Sequence, residues 1–528
     1  MYDDITAESD SLASLTIAEL LQARARDLAT HTALVGNDGH GKSRKLTYEE
    51  LYRLSVGLGV QLERFVERTE DHQPAIAWTY ANSNALVAMV LHHAINTIGA
   101  VSVPINPASS ATETRTILER TRAALLVGAS DTLGHVHTSV PTWPIDGLDD
   151  LGRFGATNLL DRATCSSTPE TPSVILFTSG TTGRSKGVVH SHGTALAAGE
   201  GWRTAFGLRQ TDTYQSMFPI YSGAGLHFSS LACLIAGATY VIDEARPISA
   251  SLARVEANRS TVYAAVPSIY QYWLAEEGTD RDLSSLRLLD FGGSVMHRTT
   301  IEALRSMLPG VALVQTYGLT EAGPGGLYLP PECLDRKLGS IGSVGSGGLK
   351  FRVDTGASTE SESDDHAGVV GELQFSGPSV MLGYLDDPEG TRQVFDGDWL
   401  RTGDLVRVDP EGYVYFVDRL KDLIIRGGFN ISSIEVEETL MACPGVGQVA
   451  AFGVPHDHLG EVVGVALVPS VDLHLDPAGF REYATRNLAR VKTPAWVVIM
   501  DELPLSSAGK VLKSNLRSHP GLTRLEDL

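Results

Sequence analysis

The sequence predicts an α/β protein: a large N-terminal domain of mainly parallel β-sheets flanked by helices and finished by a small β-barrel-like portion, followed by a small α+β domain. Three observations carry this. At 528 residues the chain outgrows a single hydrophobic core, so at least two domains are expected. Short apolar strand candidates alternate with helical patterns through roughly the first four hundred residues. After Asp418-Arg419-Leu420-Lys421-Asp422 the texture restarts with a Gly pair and a new run of helix, strand, strand and helix. The expected domains are therefore residues 1–418 and 423–528, joined at 419–422.

Taken in order, a first helix is read from Ser14 to Arg26, where apolar residues recur at helical spacing. Leu46-Thr47-Tyr48-Glu49-Glu50-Leu51 opens a second, with Thr47 as N-cap and acidic residues in the first turn. Both read as surface helices. A longer helix from Ala81 to about Ile98 stops at Gly99, and Val101-Ser102-Val103-Pro104 after it reads as a buried strand. Further strands are expected at Val174 to Phe177, Ala238 to Ile242, Val262 to Val266, Leu286 to Leu289 and Val311 to Gln315. Gly371 to Ser376 and Gly412 to Val417 alternate as half-buried strands do. Asp354 to Gly368 reads as a solvated loop. Beyond the charged pentapeptide come a helix from Ser433 to Met441, strands at Gly447 to Val454 and Val462 to Pro469, and a helix from Pro477 to Ala489.

Composition narrows the function. Hydrophobic residues make up 43% and charged residues 20%, which supports a real core and argues against disorder. Basic residues number 42 against 63 acidic ones, a net charge of −21. That balance argues against a broad nucleic-acid or anionic-lipid surface, so any phosphate must be held locally. Cys165, Cys233, Cys333 and Cys443 show neither zinc-site spacing nor disulfide density, which fits a reducing cytoplasm. Met1 to Asp10 is acidic and polar, unlike an export signal. The most apolar stretches, Ala85 to Val103 and Leu226 to Ile242, are interrupted by histidines and other polar residues, so no membrane span is expected.

The chemistry concentrates in Phe177-Thr178-Ser179-Gly180-Thr181-Thr182-Gly183-Arg184-Ser185-Lys186-Gly187, which follows a short apolar strand. Glycines let a backbone approach a ligand, hydroxyls and amide N–H groups donate, and Arg184 and Lys186 bring charge; together they can wrap phosphate. A Walker A loop would need Gly where Ser185 stands and a hydroxyl where Gly187 stands. A flexible surface turn is the bland alternative.

The run resembles the phosphate loop of the adenylate-forming superfamily, which includes acyl- and aryl-CoA synthetases, adenylation domains of peptide synthetases and firefly luciferase. Other signatures follow in order. Gly99 to Pro107 is similar to an early family motif, and Gln315-Thr316-Tyr317-Gly318-Leu319-Thr320-Glu321 matches Tyr-Gly-x-Thr-Glu. Trp399-Leu400-Arg401-Thr402-Gly403-Asp404 and Asp418 to Asp422 match the next two, and Pro504-Leu505-Ser506-Ser507-Ala508-Gly509-Lys510 the last. The resemblance spans nearly the whole chain.

It implies an ATP-dependent ligase that joins a carboxylic acid to AMP and then passes the acyl group to coenzyme A, with Mg²⁺ as metal. Thr178, Ser179, Gly180, Thr181, Thr182, Gly183 and Lys186 would hold phosphate. Thr320 would contact the α-phosphate and Glu321 would hold Mg²⁺, a hard carboxylate oxygen suiting that ion. Read alone, Tyr-Gly-x-Thr-Glu is a helix start with Thr320 as N-cap. Gly292, Gly293 and Ser294 resemble the loop along adenine, with Tyr317 and Gly318 across the base; Asp404 would accept from the ribose hydroxyls, reinforced by Arg419. Lys510 would lie between carboxylate and α-phosphate, where a cation favours the transition state over either anionic ground state. The family swings its small mobile C-terminal domain about a hinge that aligns with Lys421, so that Gly427 and Gly428 would line a coenzyme A tunnel. Singly, Asp418 to Asp422 is a charged surface turn.

Phe218 to Leu226 aligns with the acyl-pocket motif, with Tyr221, Ser222, Gly223 and Gly225 as its residues. Many synthetases carry His where Ser222 stands, and amino-acid-activating domains carry an Asp nearby; none stands in this stretch, so a substrate amine is not expected. The small residues suggest a roomy pocket for a bulky cyclic, polycyclic or aryl acid, although the glycines equally suit a tight turn. An acyl-carrier protein as acceptor, a luciferase-like oxygenase, a catalytically inactive nucleotide sensor and an ADP-forming kinase or ATPase stand as alternatives. A homodimer is left open.

Overall fold

The computed structural model describes residues 12–66, 73–153, 167–178, 185–244, 247–276, 281–294, 296–356, 368–470, 475–505 and 511–527. Contacts divide the chain into two compact units. The larger takes in the N-terminal segment, 184–351 and 375–400; the smaller takes in 352–374 and 401–528.

In the larger unit, Thr32–Asn37, Thr239–Ile242, Thr213–Ser216, Val262–Ala265, Leu288–Gly292 and Ala312–Gly318 run parallel as successive neighbours. Antiparallel strands close the edges, Ser43–Thr47 at one and Gly326–Leu329 with Val344–Gly345 at the other. The inner strands are covered on both faces, and every residue of Val262–Ala265 is buried, while Gln215, Ser216 and Asp290 are polar residues buried among them. A second sheet orders Gly383–Tyr384, Lys186–Ser191, Pro172–Thr178, Val101–Pro104, Ala75–Thr79, Leu125–Gly128 and Thr142–Pro144. It is parallel from Pro172–Thr178 onward, and Lys186–Ser191 turns back antiparallel on Pro172–Thr178.

The helices begin where local chemistry sets them. Thr16 and Glu19 form a capping box at Ile17–Asp27, and Thr47 and Glu50 form one at Tyr48–Leu62, each satisfying otherwise orphaned N–H groups. The expectation of two surface helices holds only for the first. Tyr48–Leu62 is buried along most of its length, and Tyr48 donates its hydroxyl to the Ala238 carbonyl at 2.7 Å. Ala85–Thr97 is buried throughout, so its histidines are core residues. No helix among the described residues is long and apolar enough to cross a membrane.

The smaller unit is β-rich. Trp399–Val408 pairs antiparallel with Val414–Arg419, and Val446–His456 with Gly460–Pro469, which is joined in parallel by Trp496–Ile499. Ser433–Met441 and Pro477–Asn487 pack on that sheet around Val436, Leu440, Phe480 and Ala484. The mixed α/β class read from the sequence is the class observed.

Candidate active site

In the larger unit, the strand pair that flanks the hydroxyl-rich loop brings Thr178 opposite Lys186. Lys186 lies with its ammonium 4.3 Å from the centre of the Tyr384 ring, and the Tyr384 hydroxyl donates to Glu321 Oε1 at 3.1 Å. One phenol therefore joins Lys186, of the expected phosphate loop, to the expected magnesium carboxylate. Burial, and then the charge of Glu321, push the Tyr384 phenol far above its ordinary range, so it remains a donor. Arg120 donates to the Ser185 carbonyl and lies 5.3 Å over Phe177, holding the base of the loop. Ser179, Gly180, Thr181, Thr182 and Gly183 lie outside the described residues.

The Thr320–Ala322 turn is held by two imidazoles. His190 Nε2 donates to the Thr320 carbonyl at 2.8 Å, and His227 Nδ1 to the Gly323 carbonyl at 2.9 Å. A carbonyl only accepts, so these nitrogens carry the protons. Burial holds both rings neutral, pushing His190 down to about 4 and His227 to about 3. The turn is a short 3₁₀ segment without a side-chain cap, so Thr320 is no N-cap and its hydroxyl is not spent on one.

Gly292 stands opposite Thr316 at the C-terminal ends of two adjacent parallel strands, the end of an α/β sheet where ligands bind. Tyr317 and Gly318 complete the second strand end, and Gly293 and Ser294 are exposed beside it. A Cβ on Gly292 would fall 2.6 Å from Thr316 Oγ1.

The acyl segment folds as a turn into a π-helical stretch, Ala224–Leu231. Ser222 Oγ donates to the Pro219 carbonyl at 2.7 Å and accepts from Gly225 N–H at 3.2 Å. A Cβ on Gly225 would sit 2.3 Å from that same carbonyl oxygen, and one on Gly223 would sit 3.2 Å from Leu176. These glycines serve close packing of the turn. Tyr221 is half-buried against the main core.

In the smaller unit, Asp404 is buried opposite Arg419, whose Nε lies 3.1 Å from Asp404 Oδ1. Asp418 is no surface residue. Its Oδ2 accepts from Ser433 N–H at 2.5 Å and Ser433 Oγ at 2.8 Å, capping Ser433–Met441. Lys421 is exposed, and its carbonyl accepts from Arg517 at 3.2 Å. Gly427 and Gly428 form the two-residue turn between Ile424–Arg426 and Phe429–Ile431, with φ of 56° and 88°. A hairpin turn of this kind needs positive φ at both positions, so the turn itself selects glycine. Lys510 lies outside the described residues; Leu505 and Val511, on either side of its loop, form an antiparallel bridge.

Tyr384, His190 and Arg120 were missed by sequence reasoning. Strand alternation puts Lys186, Val188 and His190 on one face, and Tyr384 pairs with Val188. That alternation was a usable signal for His190. Tyr384, roughly two hundred positions away, gave none.

Two family models match the chain: AMP-binding enzyme over residues 21–385, and AMP-binding enzyme C-terminal domain over 435–510. The 3-[(3aS,4S,7aS)-7a-methyl-1,5-dioxo-octahydro-1H-inden-4-yl]propanoyl:CoA ligase of Mycobacterium tuberculosis is 34% identical over 95% of this chain and 98% of its own. Feruloyl-CoA synthase of Amycolatopsis is 32% identical over 94% and 98%. Among solved structures, o-succinylbenzoate CoA synthetase of Bacillus subtilis in complex with its acyl-adenylate intermediate superposes with a TM-score of 0.83 at 26% identity, covering 96% of this chain and 99% of that one.

Proposed function

The chain belongs to the AMP-binding enzyme family, and we propose that the acid it activates is a bulky cyclic, polycyclic or aryl acid without a free amine. The enzyme is an ATP-dependent acid–CoA ligase: acid and ATP give acyl-AMP and diphosphate, and the thiol of coenzyme A then displaces AMP. Support for the acid class comes from relatives whose names describe a fused-ring propanoate and ferulate. The glycines of the acyl segment add nothing to it, because the turn itself stands against Gly225 and Leu176 against Gly223.

The observation that carries the assignment of residues is Lys186 and Glu321 fixed on one phenol. Lys186 would bind phosphate and Thr320 the α-phosphate. The Glu321 carboxylate, a hard oxygen donor, would help hold Mg²⁺, which when bound would neutralise phosphate charge. Asp404 and Arg419 would hold ribose, Gly292, Gly293, Ser294, Tyr317 and Gly318 adenine. Lys510 would bring the carboxylate onto phosphorus, and Gly427 and Gly428 would admit the pantetheine arm after movement at Lys421. Free Cys233 and Cys443, both buried, suit a cytoplasmic location.

The test is diphosphate release across a panel of fused-ring, aryl, short-chain and amino acids, with AMP and ADP resolved and coenzyme A compared with a holo acyl-carrier protein. Highest kcat/KM for ring acids, with AMP and acyl-CoA as products, is expected. A preference for acetate or for amino acids would overturn the acid class, and a faster carrier-protein reaction would overturn coenzyme A as the preferred acceptor.

A further inference from the structure

Asp290 lies within Leu288–Gly292, and its side chain is fully buried. The parallel register sets it beside Ala264 on one neighbouring strand and Val314 on the other. Alternation places Leu288, Asp290 and Gly292 on one face of the sheet. That face belongs to the main core, which it shares with Tyr214, Tyr240, Leu226 and Phe228. It therefore looks onto Ala224–Leu231, the helical stretch leaving the acyl segment, whose Ser229 hydroxyl reaches Ser216 at 3.3 Å and Tyr214 at 3.4 Å. Two residues on along the strand is Gly292, of the expected adenine loop.

One oxygen of Asp290 is used: Oδ1 accepts from Thr316 Oγ1 at 2.8 Å. Oδ2 is buried and has no partner among the described residues. Burial pushes the carboxyl up to about 8, so at neutral pH it holds a proton, and with Oδ1 accepting, the proton sits on Oδ2. A fully buried donor with nothing to bond is destabilising, and an apolar side chain of the same size would be better tolerated there. A donor of this kind, facing the acyl helix, suits a partner that arrives with the substrate.

We propose that Asp290 is a specificity-determining residue of the acid pocket, and that its Oδ2 hydroxyl donates a hydrogen bond to a carbonyl oxygen on the ring system of the acid, remote from the carboxylate that is adenylated. This rests on the ring-acid reading above. The other titratable groups around that face do not change charge near neutrality. Tyr214 and Tyr240 of the same sheet, Tyr270 of Pro267–Ala275 and Cys233 beyond the acyl helix are all pushed upward by burial, and His227 is held neutral.

The test uses matched pairs in the diphosphate-release assay: cyclohexylpropanoate and indanylpropanoate, each with its ring-oxo and ring-amino derivative, on the full-length enzyme with ATP and Mg²⁺. The native enzyme should favour the oxo member by about tenfold or more in kcat/KM. Asp290→Leu should bring that ratio toward one, while Asp290→Asn, which keeps an N–H donor, should preserve it. Raising the pH through about 8 should erode the preference in the native enzyme and leave it in Asp290→Asn. Thermal melting is followed for each variant, and if Asp290→Leu does not fold, the pH profiles of the native enzyme and Asp290→Asn decide. Equal losses on both members of a pair, an unchanged ratio in Asp290→Leu, matching pH profiles, or a native preference for the amino member would each overturn the proposal. Silence with every acid would instead remove the ring-acid reading, and this inference with it.

Discussion

The Tyr384 hydroxyl donates to Glu321 Oε1 at 3.1 Å while the same ring packs under the ammonium of Lys186. Two groups of opposite charge thus share one neutral side chain. Under the proposed roles, it would position Lys186 for phosphate and Glu321 for Mg²⁺.

Tyr384→Phe removes the hydroxyl and keeps the ring. Hydrogen bonds to charged groups contribute about 1.5–3 kcal/mol, so adenylation should fall by about 10- to 100-fold. The loss should be largest at low Mg²⁺, because the variant frees Glu321 to wander, while binding through Lys186 persists. Diphosphate release titrated against Mg²⁺ checks this, and an unchanged metal dependence would detach Tyr384 from Glu321 in function.

Five buried histidines, His92 among them, should make the fold acid-labile. Burial pushes His93, His190 and His192 down to about 4 and His227 to about 3. The unfolded chain takes up these protons near pH 6.5, so the stability they contribute is complete above about 6.5 and is lost as pH falls through about 4. His93, His190 and His192 can each account for at most about 3 kcal/mol and His227 for at most about 5. Urea unfolding at intervals between those limits should show a steady decline, shallower in His190→Gln, whose amide can replace the donor to the Thr320 carbonyl. A flat profile down to about pH 4.5 would contradict the assignment.

How legible the molecule was in its sequence depended on the range of the interaction. Thr16 with Glu19 and Thr47 with Glu50 are local pairs, and both capping boxes stand where spacing put them. The strand Val101–Pro104 and the helix Ser433–Met441 were read to the residue, since apolar runs and caps are written in adjacent positions. Burial of Tyr48–Leu62 was not, because it depends on what Ala238 and the Ala85–Thr97 helix bring from elsewhere. The same holds for Asp418: a charged turn by composition, it becomes a buried cap because Ser433 folds back on it. Gly427 and Gly428 looked like room for a ligand, and the backbone adds a reason of its own in their positive φ.

Lys510→Ala should lower adenylate formation by about 10²–10³, the usual effect of losing a preorganised charge at a transition state. Thioester formation from a supplied acyl adenylate should survive. Lys421→Pro should do the reverse, slowing transfer more than adenylation by stiffening the backbone at the expected hinge. Equal loss of both half-reactions in either variant would count against separate arrangements for the two steps.

The turn at Gly427 and Gly428 allows two roles for glycine to be separated. Asn tolerates the left-handed backbone that Gly427 adopts at φ 56°, so Gly427→Asn should leave melting nearly unchanged. The nearest atom to a Cβ at that position is Leu459 Cδ2 at 3.4 Å, an ordinary contact, so the smaller unit itself accepts the side chain. If the turn also lines the path of the pantetheine arm, the same substitution should slow acyl transfer to coenzyme A at least tenfold, roughly, while diphosphate release continues. Gly427→Val, which cannot hold positive φ, should lose stability as well as transfer. Normal transfer in a stable Gly427→Asn enzyme would leave the glycine a turn residue alone, because a side chain there would then obstruct nothing that the reaction needs.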